Sequence, residues 1–157
     1  MILITGASGF VGSALVARLQ RDGVAIRAAV RRDQISLPPG VQVAQVGDLD
    51  AQTDWRAALA DVDVVVHAAA RVHVMAEAAA DPLAEFRRVN VAGTLNLARQ
   101  AAEAGVTRFV FISSVKVNGE QTAPGRPFSP ADPPVPVDPY GISKMEAEAG
   151  LMALAAE

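Results

Sequence analysis

The sequence predicts an α/β fold: a doubly wound parallel sheet, strand order 3-2-1-4-5, with helices on both faces. Three observations predict it. Short apolar runs alternate with helical patterns along the chain, the signature of strands joined by crossover helices. The first run ends in a glycine-rich turn that opens the first helix. A later run, VDVVVHAA (62–69), is apolar on both faces, as a strand buried inside a parallel sheet must be.

The elements follow in order. MILIT (1–5) reads as a buried strand that stops at a glycine. FVGSALVARLQRDG (10–23) places Val11, Leu15, Val16 and Leu19 at helical spacing and ends at Gly23. VAIRAAV (24–30) and VQVAQV (41–46) are the second and third strands, the latter set off by LPPG. TDWRAALA (53–60) predicts a short helix capped by Thr53 or Asp54. The fourth strand, 62–69, is followed by a long helix over 81–105, with Asp81 as cap, Pro82 at its first turn and Gly105 as its stop. RFVFISS (108–114) is the fifth strand. Residues 119–139 hold seven of the ten prolines, so they are expected to form an ordered loop over a site and not regular structure. A last helix runs from Pro139 or Tyr140 to the end.

Composition narrows the function classes. The 157 residues suit one domain, about half of them apolar, with a formal charge of −3. Basic residues are scattered and no apolar run reaches membrane-span length, so neither a nucleic-acid nor a membrane partner is expected. Without cysteine there is no disulfide framework, thiolate nucleophile or sulfur-ligated metal. The apolar run begins at Met1, and a cytoplasmic domain is the expectation. His67 ends an apolar strand and reads as a hydrogen-bonded core residue; His73 has no partner at metal-ligand spacing, and no metal is expected.

TGASGFVG (5–12) carries Gly6, Gly9 and Gly12 between the first strand and the first helix. One glycine permits the tight turn, one lets a pyrophosphate approach the backbone, and one lets helix pack on strand. The helix N-terminus then offers free N–H groups to the phosphates of a dinucleotide. At the end of the second strand, where an acidic residue would accept from a ribose 2′-hydroxyl, stand Arg31 and Arg32, with Asp33 behind them. Two arginines suit a 2′-phosphate; they are equally consistent with solvated surface residues.

DPYGISK (138–144) holds the only tyrosine, Tyr140, and one of two lysines, Lys144; the other is Lys116, for which the pattern gives no role. Residues four apart share a helix face, with Cβ atoms about 5–6 Å apart. A phenol is a poor base at neutral pH, but a neighbouring ammonium favours the phenolate, so the pair reads as a proton-transfer couple. The alternative is two surface residues at a helix start.

Six stretches in series, TGASGFVG, GDL (47–49), VVHAAA (65–70), VNVAGT (89–94), FISS (111–114) and PYGISK (139–144), resemble the extended short-chain dehydrogenase/reductases. The likeness is to the NAD-dependent epimerase/dehydratase branch, typified by UDP-glucose 4-epimerase. SSVKVNGE (113–120) resembles members that act on sugar nucleotides of bacterial surface polysaccharides. The resemblance implies a Rossmann-type NAD(P)-binding domain over 1–157. It also implies NAD as cofactor, with NADP the alternative that Arg31 and Arg32 favour, and a nucleotide-sugar substrate. Ser114, Tyr140 and Lys144 would be catalytic. Gly6, Gly9, Phe10, Val11 and Gly12 would lie under the pyrophosphate, and Arg31 and Arg32 by the adenosine ribose. Asp48 and Leu49 would meet the adenine, and Ala68, Ala69 and Ala70 would line the cofactor channel. Asn90, Ser113, Tyr140 and Lys144 would stand near the nicotinamide.

The expected reaction is 4-epimerisation through a 4-keto intermediate. Reduction or dehydration of a ketosugar nucleotide is the alternative, and a non-catalytic dinucleotide-binding domain or inert fragment is a third reading. The family usually has tyrosine in place of Asn118 and often aspartate in place of Arg31. Its members are about twice as long, so a C-terminal substrate lobe is expected to be absent here and the chain alone inactive. The family also forms homodimers, through helices matching 81–105 and 140–156; apolar packing within the chain would equally explain those faces.

Overall fold

A computed structural model describes residues 1–32, 37–72 and 80–157. Asp33 and His73 lie outside the described residues. The strands are β1 (Ile2–Thr5), β2 (Ile26–Val30), β3 (Gln42–Gln45), β4 (Val64–His67) and β5 (Arg108–Phe111). They form one parallel sheet in the order β3-β2-β1-β4-β5, as expected. The order reverses between β1 and β4, which opens a crevice beyond their C-terminal ends.

The strand pleat divides the core in two. Leu3, Ala29 and Val65 point to one face, where they pack with Trp55, Leu59, Leu97 and Ala101. Ile4, Ala28, Val30 and Val66 point to the other and meet Ala7 and Val16. The second layer is supplied by α1 (Phe10–Arg21). Val16 is fully buried, and Leu15 and Leu19 are partly so, but Val11, in the first turn of the helix, is exposed. The first layer is supplied by α2 (Arg56–Leu59) and by the long helical stretch that follows β4.

Three expected elements come out differently. The short helix covers only Arg56–Leu59, and neither Thr53 nor Asp54 is its cap residue; that place is taken by Trp55, with no side-chain cap. Thr53 is drawn away: its hydroxyl donates to the Asp48 carbonyl at 2.6 Å and accepts from the Asp50 N–H at 3.0 Å. The predicted strands 62–69 and 108–114 are shorter, spanning Val64–His67 and Arg108–Phe111; Ala68 and Ile112 each still donate a backbone bond, to Thr5 and His67, before the chain turns into the site loops.

The helix 81–105 is continuous but not uniform. It comprises α3 (Pro82–Phe86), a π-helical segment (Arg87–Gly93) and α4 (Thr94–Glu103). Asp81 caps it through the Ala84 N–H at 3.0 Å, and Gly105 ends it at φ +80°. Residues 119–138 form no helix or strand, and α5 (Pro139–Leu154) follows, capped by Asp138. It packs on the π segment and on α4, where Gly150 sits so close to Leu95 that a β-carbon would stand 2.8 Å from its Cδ1. Packing within the chain thus accounts for much of the apolar character of both helices.

Candidate active site

Most of the expected site residues lie at or past the C-terminal end of a strand or in the first turns of a helix there; Asn90 lies inside the long helical stretch. The β1–α1 loop is shaped by close backbone approach. Gly6 has φ +67°, and a β-carbon on it would stand 2.7 Å from the Ala69 nitrogen. A β-carbon on Gly12 would run into the Gly6 carbonyl oxygen, so only glycine lets α1 close on the turn. The Gly9 N–H donates to that same carbonyl at 2.9 Å. No side chain caps α1, and Phe10 at its start is 95% exposed. The first N–H groups of the helix therefore face open space, as an anion site requires.

Thr5 ties this loop to β4. Its hydroxyl accepts from the Ala69 N–H at 3.1 Å and pairs with His67 Nδ1 at 2.6 Å. His67 Nε2 pairs with the Thr94 hydroxyl at 2.9 Å. Burial, with the Lys144 ammonium adding to it, pushes the His67 pKa down to about 3. The ring is a neutral core bridge, as its place in an apolar strand suggested, and it fixes where Ala68, Ala69 and Ala70 run.

Arg31 and Arg32 are exposed just past the end of β2, and Asp48 is exposed in the stretch that follows β3. Leu49 turns inward: a β-carbon on Gly93 would stand 2.8 Å from Leu49 Cγ, so the π segment and this loop are in close contact.

Asn90 is buried within the π segment. Its amide nitrogen donates to the Arg71 carbonyl at 3.0 Å and to the Ser143 hydroxyl at 2.9 Å, and its oxygen accepts from the Arg71 N–H at 2.8 Å. Ser143 donates in turn to the Tyr140 carbonyl at 2.8 Å. One side chain thus joins the strand that leaves β4 to the helix that carries Tyr140 and Lys144. π segments recur at functional sites because the extra residue re-aims a side chain.

Tyr140 is half-buried and sets its ring edge-on to Phe86, centroids 6.2 Å apart. Lys144 is buried; its Nζ donates to the Ile112 carbonyl at 2.7 Å and lies 3.7 Å from the centre of the Phe111 ring. Burial pushes its pKa down to about 8, against the pull of Glu148. The amine is thus anchored at the end of β5, next to Ser113 and Ser114. The Ser114 hydroxyl accepts from the Lys116 N–H at 3.2 Å, which leaves its own proton for another acceptor. The Ser113 hydroxyl oxygen is buried with no hydrogen-bond partner among the described residues.

An open glycine cradle, an uncapped helix start and a buried unpaired hydroxyl at the sheet's crevice fit a dinucleotide. The fold and the residues at this crevice define a Rossmann-type α/β domain suited to a dinucleotide. The model of the NAD dependent epimerase/dehydratase family matches residues 2–157, and the chain belongs to that family. It is 50% identical over 155 residues to a UDP-glucose 4-epimerase of Vibrio cholerae, covering 98% of this chain and 47% of that protein. It is 36% identical over 136 residues to a 3-beta-hydroxysteroid dehydrogenase of Mycolicibacterium neoaurum, covering 78% of this chain and 36% of that one. Among solved structures it resembles MoeE5 in complex with UDP-glucose and NAD, with TM-score 0.82 and 35% identity, over 99% of this chain and 49% of the other. The chain spans half or less of the length of these relatives.

Sequence reasoning missed Thr5, Ser143, Lys116 and Asp138. Thr5 and Ser143 directly precede residues that it did select, Gly6 and Lys144, and that adjacency was the available signal. Arg87 and Arg88 are exposed, and each is ion-paired: Arg87 with Glu146 at 2.5 Å, Arg88 with Glu85 at 3.2 Å and Asp50 at 3.7 Å.

Proposed function

We propose that this chain is the NAD-binding and catalytic portion of a nucleotide-sugar 4-epimerase. The observation that carries the reading is the placement of Lys144, buried and anchored at the end of β5 beside Ser113 and Ser114, on the helix that also bears Tyr140. Gly6, Gly9, Phe10, Val11 and Gly12 would hold the pyrophosphate. Asp48 and Leu49 would flank the adenine, with Arg31 and Arg32 at its ribose, and Ala68, Ala69, Ala70, Asn90 and Ser113 would frame the nicotinamide. When bound, NAD supplies reversible acceptance of a hydride from the sugar C4.

The Tyr140 phenolic oxygen takes the proton of the C4 hydroxyl as the C4–H bond breaks, leaving a C4 ketone. Ser114 donates its free O–H to that oxygen and orients it. Lys144 presents its ammonium to the same end of the site, where it supports negative charge on oxygen. Delivery of hydride to the opposite face of C4, with the proton returned by Tyr140 to the C4 oxygen, would give the epimer, with no net oxidation.

Sugar binding is assigned to sequence outside these 157 residues, and the setting to surface-polysaccharide sugar metabolism. A homodimer through the outer faces of α3–α4 and α5 belongs to the same proposal. Met152 on α5 is 72% exposed, in keeping with it. No described helix is long and apolar enough to cross a membrane.

A second reading is net reduction of a ketosugar nucleotide with NADPH. The exposed Arg31 and Arg32 favour it. Chromatography of UDP-sugars after incubation with NAD separates the two. Interconversion of UDP-glucose and UDP-galactose without accumulation of NADH supports the epimerase. Stoichiometric consumption of NADPH on a 4-keto substrate supports the reductase. Enzyme that binds NAD but converts neither refutes both.

A further inference from the structure

Lys116, the lysine that the sequence leaves without a role, occupies the junction between two catalytic segments. It lies in the single 3-10 turn Val115–Val117 that follows Ser114. Its backbone N–H donates to the Ser114 hydroxyl at 3.2 Å. Its carbonyl oxygen is packed so tightly on the start of α5 that a β-carbon at Gly141 would stand 2.7 Å away. Its Nζ donates to Asp138 Oδ2 at 2.5 Å and to Glu120 Oε1 at 3.0 Å. Asp138 uses its other oxygen, Oδ1, to accept the Gly141 N–H at 2.6 Å, which makes it the cap of the helix bearing Tyr140 and Lys144.

We infer that Lys116 is a positioning residue that staples the Ser114 turn to the capped start of the Tyr140 helix and so sets the register between the two hydroxyls. Three parts of one residue serve this junction. The N–H orients the Ser114 oxygen, the carbonyl abuts Gly141, and the ammonium holds the carboxylate that caps α5. The ion pair is also placed to matter. Asp138 is half-buried, and Asp138 and then Glu120 push the Lys116 pKa up, so the ammonium stays charged across the working range. The contact spans 22 residues of sequence, across the proline-rich loop, which itself contains no helix or strand to fix the distance. Without the staple, α5 keeps its packing, but the Asp138 carboxylate is freed to move, its cap bond to the Gly141 N–H loosens, and the angle at which Tyr140 meets Ser114 is no longer held from the Ser114 side. Misplacement of about 1 Å in such a constellation can cost roughly a hundredfold in rate.

The rate arm of the test rests on the epimerase reading; the spectroscopic arm does not. Tyr140 is the only tyrosine, so ring-labelled tyrosine gives one set of NMR signals that reports its surroundings directly. Lys116→Met, Lys116→Arg and Glu120→Gln are compared with wild type, with Trp55 fluorescence melts confirming that each is folded. In Lys116→Met the Tyr140 ring signals shift and the Gly141 amide exchanges at least tenfold faster. Turnover falls roughly tenfold to a hundredfold, while KM for the sugar nucleotide and NAD affinity stay within about twofold. Lys116→Arg restores most of both readouts, and Glu120→Gln changes neither. Unchanged ring signals and amide exchange in a folded Lys116→Met protein overturn the proposal. So does a loss of NAD affinity equal to the loss of turnover, which would make Lys116 a general stabiliser. Wild-type enzyme without turnover on any sugar nucleotide defeats the epimerase reading and leaves the NMR readout to judge the staple.

Discussion

At one end of the sheet's crevice, Gly6 and Gly12 let backbone approach backbone so closely that no side chain fits. At the other end, the helix that bears Tyr140 and Lys144 is tied in by side-chain bonds that reach across 19 to 53 positions of sequence, from Arg71 to Asn90 and from Asn90 to Ser143. The first region is built from local conformation and the second from tertiary connections. The difference separates what each end can lose. The glycine loop has no slack, so a single methyl group disturbs it. The tyrosine end has redundant ties, so its geometry survives a lost hydroxyl while its chemistry does not.

The largest expected effect falls on the loop. Gly12→Val drives a branched side chain into the Gly6 carbonyl and forces α1 away from the turn. Overpacking of this kind costs about 1–3 kcal/mol. Calorimetric titration is expected to show NAD binding weakened by at least about a hundredfold, while the far-ultraviolet spectrum stays native. Binding within threefold of wild type would show that the loop has slack after all.

A smaller effect belongs to the bridge between the two ends. His67 is neutral in the folded chain, with a pKa of about 3 against an ordinary 6.5. The unfolded chain therefore takes up a proton below about pH 6.5 that the folded chain refuses until about pH 3. Stability from this group is fully present above pH 6.5 and falls as pH drops through the window, by up to about 1.4 kcal/mol per unit. His67→Gln, which keeps hydrogen-bonding capacity without titrating, is expected to lose less stability than wild type between pH 6.5 and 4 in denaturant melts. Equal slopes would mean that His67 charges in place.

The smallest effect is expected where neither kind of constraint operates. Arg31 and Arg32 are exposed. Replacing both by alanine should change NAD affinity by less than about threefold and weaken NADP by up to tenfold, roughly 1.4 kcal/mol. A wild-type preference for NADP of tenfold or more, lost in the double variant, would favour the reductase reading.

The same division explains what the sequence disclosed. Strand order, the glycine loop, the Asp81 and Gly105 ends of the long helix and the placement of Asn90 within it were legible, because each rests on local pattern. The π register of Arg87–Gly93 was not, because it goes with contacts that no local pattern records: the bonds of Asn90 to Arg71 and Ser143, and the seat of Leu49 on Gly93. The extra residues assigned to β4 and β5 continue the local pattern of the strands, which does not record where the chain turns into the site loops. Lys116 was unreadable for a related reason. Its partner Asp138 lies beyond a proline-rich loop whose path only the folded chain defines.

The central claim is that binding and chemistry are carried by separate ends of one site. Tyr140→Phe tests it most directly, since the variant keeps the ring against Phe86 and removes only the oxygen. NAD affinity and UDP-sugar turnover are measured on the same preparation of enzyme that carries this chain together with its sugar-binding portion. NAD affinity is expected to stay within twofold of wild type and turnover to fall by roughly 10²–10⁴-fold. Turnover within threefold of wild type, or a parallel collapse of NAD binding, would contradict it.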